Sequence, residues 1–321
     1  MTALVQDDLL AVMQLLCTRG VGARTLGRIL DDCSKRGMRP AEIVGLPDDE
    51  LAARFRLSPD LPSALAASTD TARQLWKELT EHTVHVLVRG WPGYPTNLRA
   101  ARGDDAPPVL FALGNLDLLQ RPSVGFCGSR RASERGLTIA SDCARFLSKN
   151  AVNVVSGYAH GIDLAAHRGA LEANGSTTVV LAEGILHFRI KSDIKGFANE
   201  SNLLVISEFP PRLPWAGRQA MARNRTICGL SNALILVESG AEGGTFECGK
   251  AALDQRCPLF VVEYAQPPVS AEGNAFFLRR GARALRRSRS GQASMEAVVA
   301  AAAMPSGDNG GGQRGELPFE H

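Results

Sequence analysis

Ser123-Val124-Gly125-Phe126-Cys127-Gly128-Ser129-Arg130-Arg131 is a short apolar run that ends in a glycine turn. Behind it come a helix-length amphipathic segment, Glu134–Lys149, and a second apolar run, Val152–Val155. That order is one βα unit. It recurs downstream: strands are expected at Thr177–Leu181, Leu203–Ile206, Ala233–Val237 and Leu259–Val262, with helical segments such as Ile162–Ala173 and Phe246–Gln255 between them. Strands that are apolar throughout rather than alternating belong to a parallel sheet covered on both faces. The expected fold class is therefore α/β, a doubly wound parallel sheet whose ligands bind beyond the carboxyl ends of the strands.

Upstream, Val84–Val88 and Pro107–Gly114 read as two more strands, separated by the loop Gly90-Trp91-Pro92-Gly93-Tyr94-Pro95. Residues 1–82 read as a small all-helical domain. Leu9, Leu10, Met13 and Leu16 recur at helical spacing, then Gly20-Val21-Gly22 turns the chain into a second periodic stretch. A Gly-apolar-Gly turn between short helices is what a helix-hairpin-helix needs, but one such turn is a weak signal and a plain packed αα turn is the favoured reading. Residues 83–275 form the α/β domain. Residues 276–321 read as a basic, disordered tail, with an Ala-rich stretch followed by Ser, Gly and Asn.

The 321 residues carry 36 Lys+Arg against 33 Asp+Glu, and 45% are hydrophobic, which is a globular composition. Six arginines (279, 280, 283, 286, 287 and 289) fall in one run; without them the chain is net acidic. Such a run fits an anionic partner or a solvated arm. No apolar stretch approaches a membrane span, and the acidic start MTALVQDDLL does not match an export signal. The seven cysteines form no C-x-x-C pair and do not cluster with histidine, so reduced thiols, a cytoplasmic location and no metal are expected.

Each of four glycine-rich or arginine-bearing segments follows a strand or opens a helix. Gly128, Ser129 and Arg130 offer a tight turn, a hydroxyl and a fixed cation beside a helix start, which suits phosphate. The pattern is neither G-x-G-x-x-G nor a Walker loop, so no nucleotide cofactor is indicated. Ser156, Gly157, His160 and Gly161 form the second turn. A helix starting near His160 would place His160, Asp163 and His167 on one face, as a structural or ligand-orienting network rather than a metal site. Arg223, Asn224 and Arg225 form the third segment; arginines at i and i+2 diverge, so one faces the cleft and the other does not. Gly243, Gly244 and Thr245 open a further helix and expose its first N–H groups.

Together these segments resemble the DNA-processing protein A (DprA/Smf) family. The resemblance is carried by Gly128-Ser129-Arg130, by Ser156-Gly157-x-Ala159-x-Gly161-Ile162-Asp163-x-x-Ala166-His167, and by Ser207-Glu208-Phe209-Pro210. Arg223-Asn224-Arg225-x-Ile227-x-Gly229-Leu230-Ser231 and Val237-Glu238 complete it. It implies an extended Rossmann-like domain behind a SAM-like helical domain, single-stranded DNA in a basic cleft, a homodimer, and cooperation with a RecA-type recombinase in DNA uptake and recombination. It implies no cofactor and no bond-making chemistry. Arg130, with Arg223 or Arg225, would meet phosphate, while Gly128 and Ser129 shape the loop. Trp215 and Phe246, near these motifs, serve equally well as stacking platforms or as core.

Three departures mark the chain as a divergent relative. Ala182-Glu183-Gly184-Ile185-Leu186-His187-Phe188 runs into a basic stretch where the family has a turn with Asp, Tyr and Pro. Glu242-Gly243-Gly244-Thr245-Phe246-Glu247 replaces a Ser-Gly-Ser, and the C-terminal winged helix of many members has no counterpart. The second departure also resembles the Lonely-guy-type nucleotide phosphoribohydrolases. That alternative implies a catalytic pair, Arg223 on phosphate and Glu247 at the ribose, or a defence-associated sensor of nucleotides or DNA. Fold-level likeness alone leaves it open.

Overall fold

Short runs of Val, Ile and Leu bounded by turns become strands here because both of their faces find an apolar cover. The computed structural model describes residues 3–55, 60–286 and 294–304. It begins with helices α1 (Ala3–Cys17), α2 (Ala23–Arg36), α3 (Pro40–Val44), α4 (Asp48–Phe55), α5 (Leu61–Ala67) and α6 (Thr69–Glu81). The turn from α1 to α2 passes through Gly20 at φ +91°, where a side chain would be strained, and α2 starts at Gly22 without a side-chain cap.

Strand β1 (His85–Val88), helix α7 (Thr96–Arg102) and strand β2 (Val109–Gly114) lead into the repeated units. These run β3 (Ser123–Cys127), α8 (Glu134–Lys149), β4 (Asn153–Ser156), α9 (Ile162–Glu172), β5 (Thr177–Val180), the short α10 (Ser192–Lys195) and β6 (Leu203–Ser207). Then come α11 (Gly217–Leu230), β7 (Ala233–Leu236), α12 (Gly244–Asp254), β8 (Leu259–Val262), α13 (Asn274–Leu278), β9 (Arg283–Leu285) and α14 (Glu296–Ala303). The strands form one sheet in the order β1-β2-β6-β5-β4-β3-β7-β8-β9. All pairings from β6 to β9 are parallel; β2 runs antiparallel to β6, and β1 antiparallel to β2.

The sheet is covered on both sides. Along β7, Ala233 and Ile235 pack with Ala140, Ala144 and Ala166 of α8 and α9. Leu234 and Leu236 pack on the other face with Ile227 and Cys228 of α11 and Cys248 and Ala252 of α12. A third cluster joins Leu15, Ile29 and Leu79 of the helical region to Val109 and Phe111 of β2. Arg89 reinforces that junction from its buried position after β1: its guanidinium donates to Gly27 O, Ala106 O and, at 2.7 Å, the Asp31 carboxylate.

The fold is the α/β doubly wound sheet with a helical N-terminal region. It runs on past residue 275: β9 pairs with β8, and α14 buries Val298, Ala301 and Ala302 over β3 and β7. Composition pointed to a tail there because Leu285 is the one large apolar residue within the arginine run and the alanines of α14 carry little pattern. Arg287 and Arg289 of the run, and the extreme C-terminus, lie outside the described residues.

Candidate nucleic-acid interface

β3 has β4 on one side and β7 on the other, and the chain leaves them in opposite directions. Loops diverging at such a switch point open a crevice at the carboxyl ends of the strands. Here the loops after β3, β4 and β7 are laced together. Ser129 N donates to Glu238 O at 2.9 Å, and Ile162 N donates to Ser129 O at 3.3 Å. Gly161 sits at φ +81° with its α-carbon packed on Ser129 O, and Gly128 lies directly on the Ile162 side chain. A Cβ at either position would collide, which is why the turns need glycine.

Beneath the Ser129 contact lies Glu238, fully buried. Its carboxylate accepts from Ser133 N and Oγ, from Ser270 Oγ at 2.7 Å and from Tyr264 Oη at 3.1 Å. Ser133 also caps α8 by accepting from Gly136 N. Glu238 thus fixes the start of α8 behind the Gly128–Arg131 loop.

Arg223, on α11, is 5% exposed. Its guanidinium lies on the bare backbone of Gly157, and Nη1 donates to Val180 O at 2.7 Å. Nε has no partner, and no carboxylate pairs with the group among the described residues. The neighbouring Asn224 donates to Gly244 O at 2.9 Å and so holds the N-terminus of α12, where Gly243 takes φ +93°. Arg225 points elsewhere: it is exposed beside Asp105 and Asp254. The divergence of the two arginines is as their spacing requires, and Arg223 is the one in the cleft.

Two adjoining cavities, of about 480 and 560 Å³, share Arg130, Ala159 and Arg223. The larger of the pair reaches Gly128, Ser129, Gly244, Thr245 and the exposed Met221. The smaller is lined by Arg130, His160, Arg189, Lys191 and Arg223, with the rings of Tyr158 and Trp215. Trp215 is 52% exposed and has the Arg130 guanidinium 5.6 Å from its ring centre. Lys191 lies 4.4 Å from the Tyr158 ring centre and donates to Tyr158 O; burial pulls its ammonium below the usual lysine range. Another cavity, of about 710 Å³, lies between α2 and residues 102–109. It sets Arg24, Arg28 and Arg89 against Asp31, Asp104 and Glu208, so its charges balance and it does not select an anion.

The histidine face divides. α9 starts at Ile162, so exposed His160 lies in the preceding turn and lines the smaller cavity. Asp163 accepts from Ala159 N and lies 3.0 Å from the Ser156 hydroxyl, tying the turn to the helix. His167 is fully buried, with Nε2 2.6 Å from Gly157 O and Nδ1 2.6 Å from Thr177 Oγ1. Burial holds its ring neutral, down to about 4. Gly157 O can only accept, so Nε2 carries the proton. A histidine held neutral in the fold and charged in the unfolded chain stabilises fully above about pH 6.5 and less as pH falls toward 4. The full effect is on the order of 3 kcal/mol. Urea midpoints for wild type and His167→Gln at pH 7 and pH 4.5 check this: the acid loss should shrink in the variant, and an unchanged loss rules the histidine out as its source.

The sequence reading missed Lys191, Arg189 and Tyr158. Its only signal was the basic stretch after Phe188. Phe246 belongs to the core, its ring centre 4.7 Å from Phe276 and 5.0 Å from Phe277. Trp215 alone of that pair faces the cleft. Glu247 is exposed, ion-paired with Lys250 at 2.9 Å and outside the lining of both cavities, so the structure does not bring it to Arg223. No group of three or more His, Cys, Asp or Glu suited to a metal occurs among the described residues, and all seven cysteines are free thiols.

A doubly wound sheet with a crevice at its switch point defines a Rossmann-like class of protein, in which ligands bind beyond the carboxyl ends of the strands. Within that class, the chain belongs to the family of the DNA recombination-mediator protein A, whose model matches residues 85–295. It is 30% identical over 209 residues to Protein Smf of Escherichia coli, covering 64% of this chain and 55% of that protein. It is 32% identical over 186 residues to the DNA processing protein DprA of Streptococcus pneumoniae, covering 56% of this chain and 64% of that protein. The chain thus spans between about half and two thirds of these relatives. The X-ray structure of the S. pneumoniae DprA superposes with a TM-score of 0.71 at 25% identity, covering 85% of this chain and 92% of that one. DNA processing protein A of Helicobacter pylori, whose structure is described for its single-stranded DNA binding mode, gives 0.54 at 25% identity over 64% of this chain and 92% of its own. No helix among the described residues is long and apolar enough to cross a membrane.

Proposed function

We propose that this chain binds single-stranded DNA across the two adjoining cavities and takes part in DNA processing without itself making or breaking bonds. The observation that carries this is Arg223, a buried guanidinium that donates to a carbonyl and has no carboxylate in ion-pair contact among the described residues. A buried cation left unpaired is unfavourable, and a phosphate reaching the cleft supplies what is missing. Arg130, Arg189 and Lys191 add charge along the rim, the turns at Gly128–Ser129 and Gly243–Thr245 offer backbone donors, and exposed Trp215 offers a stacking face. The name of the H. pylori neighbour supports the ligand, and the family supports the setting. Protection of the strand, its transfer to a RecA-type recombinase, a homodimeric state and a cytoplasmic location belong to the same proposal.

Four cations meeting phosphates of a single strand give a log–log salt slope of about −3. Titration of a labelled 30-nucleotide strand between 50 and 300 mM salt tests this. An affinity independent of salt, or equal affinity for duplex, would remove the single-strand reading.

A further inference from the structure

Glu183 does not fit a site made only for phosphate. It follows β5, and among the described residues it is the one carboxylate lining the smaller cavity, alongside Arg130, Arg189, Lys191 and Arg223. The side chain is half-buried, and no hydrogen bond or ion pair holds it among the described residues. It lies close enough to Lys191 for its charge to act on that ammonium. A carboxylate so placed repels a phosphodiester backbone unless it meets a donor. The donors a single strand brings are the N–H groups of its unpaired bases.

Those bases differ in what they offer. Guanine presents N1–H and N2–H side by side, which match the two oxygens of a carboxylate, with O6 next to them as an acceptor. Adenine and cytosine offer one amine each, and thymine offers N3–H between two carbonyls that a carboxylate repels. Lys191 uses one of its three ammonium hydrogens on Tyr158 O and has others for an acceptor such as O6. The Tyr158 and Trp215 rings line the same cavity, and its volume of about 480 Å³ is in the range of small-ligand sites.

We propose that Glu183, with Lys191 beside it, recognises the Watson–Crick edge of an unpaired guanine nucleotide seated in the smaller cavity. This rests on the nucleic-acid reading of the cleft, and the guanine can come from a strand or from a free nucleotide.

The test compares 30-nucleotide strands of all thymine with thymine strands carrying guanine, adenine or cytosine at every third position, at one fixed salt concentration, with dGMP as a separate ligand. Wild type should bind the guanine-bearing strand roughly tenfold tighter than the all-thymine strand. Glu183→Gln should lose that preference and bind the all-thymine strand somewhat tighter, because a repulsive charge has gone. If wild type binds all four strands equally, or if Glu183→Gln shifts every strand by the same factor, guanine recognition is overturned while strand binding stands. Binding of dGMP without any strand keeps the guanine site and removes the strand. Failure of strands and dGMP alike removes both.

Discussion

Replacing Arg223 by methionine should weaken single-strand binding by roughly 30-fold or more and leave the fold as stable as wild type, or more so. The opposite signs follow from one geometry. In the free protein the guanidinium is desolvated against Gly157 and Val180 O, with Glu208 acting on it only from a distance and no carboxylate in direct contact, so its removal relieves an unfavourable burial. In the complex the same group is the best-placed partner for a phosphate, and its loss leaves that phosphate unpaired. A structural arginine behaves otherwise: Arg89, which ties α2 to the loop after β1, would lower stability when truncated. Fluorescence anisotropy with a labelled strand and thermal unfolding on the same preparation decide it. Wild-type affinity in the variant, or a loss of melting temperature together with the loss of binding, would show that Arg223 serves the fold rather than the ligand.

Glu238→Ala should have the largest effect on stability, about 3–5 kcal/mol or a melting temperature lower by on the order of 10 °C. The substitution leaves the donors of Ser133, Tyr264 and Ser270 around a fully buried position without their shared acceptor. It also frees the start of α8 and slackens the Gly128–Arg131 loop above it, so strand affinity should fall at temperatures where the variant is still folded. Calorimetry gives the first quantity and a binding titration at 10 °C the second. A melting temperature within 2 °C of wild type would mean that water replaces the carboxylate without penalty.

The parts of the fold that could be read from sequence are those where a local pattern and the tertiary cover agree. The apolar run ending at Cys127 and the Glu134–Lys149 periodicity coincide with β3 and α8. β9 was not legible because its state is conferred by the free edge of β8: an Arg-Ala-Leu triplet carries no strand signal of its own. In the site, glycines at strand ends and the arginine pair were legible as motifs. Spacing showed that Arg223 and Arg225 diverge, but only the absence of a side chain at Gly157 selects Arg223 for the interior. Lys191, Tyr158 and Trp215 converge from separate loops, and no period in the chain connects them. The supposed face of His160, Asp163 and His167 failed because α9 starts two residues after His160.

The antiparallel strand β2 has a consequence for the order in which the protein is made. Its partner β6 is about 90 residues further along the chain, since Gly114 pairs with Leu204. At translation rates of ~5–20 residues per second, β2 emerges roughly 5–20 s before β6 exists. By then the helical region and β1 are already synthesised, and they offer Phe111 and Val109 the cover of Leu15, Ile29 and Leu79. The N-terminal helices and β1 can therefore shield one face and one edge of β2 as soon as it is made, leaving only the edge that β6 later pairs open until the rest of the ladder arrives.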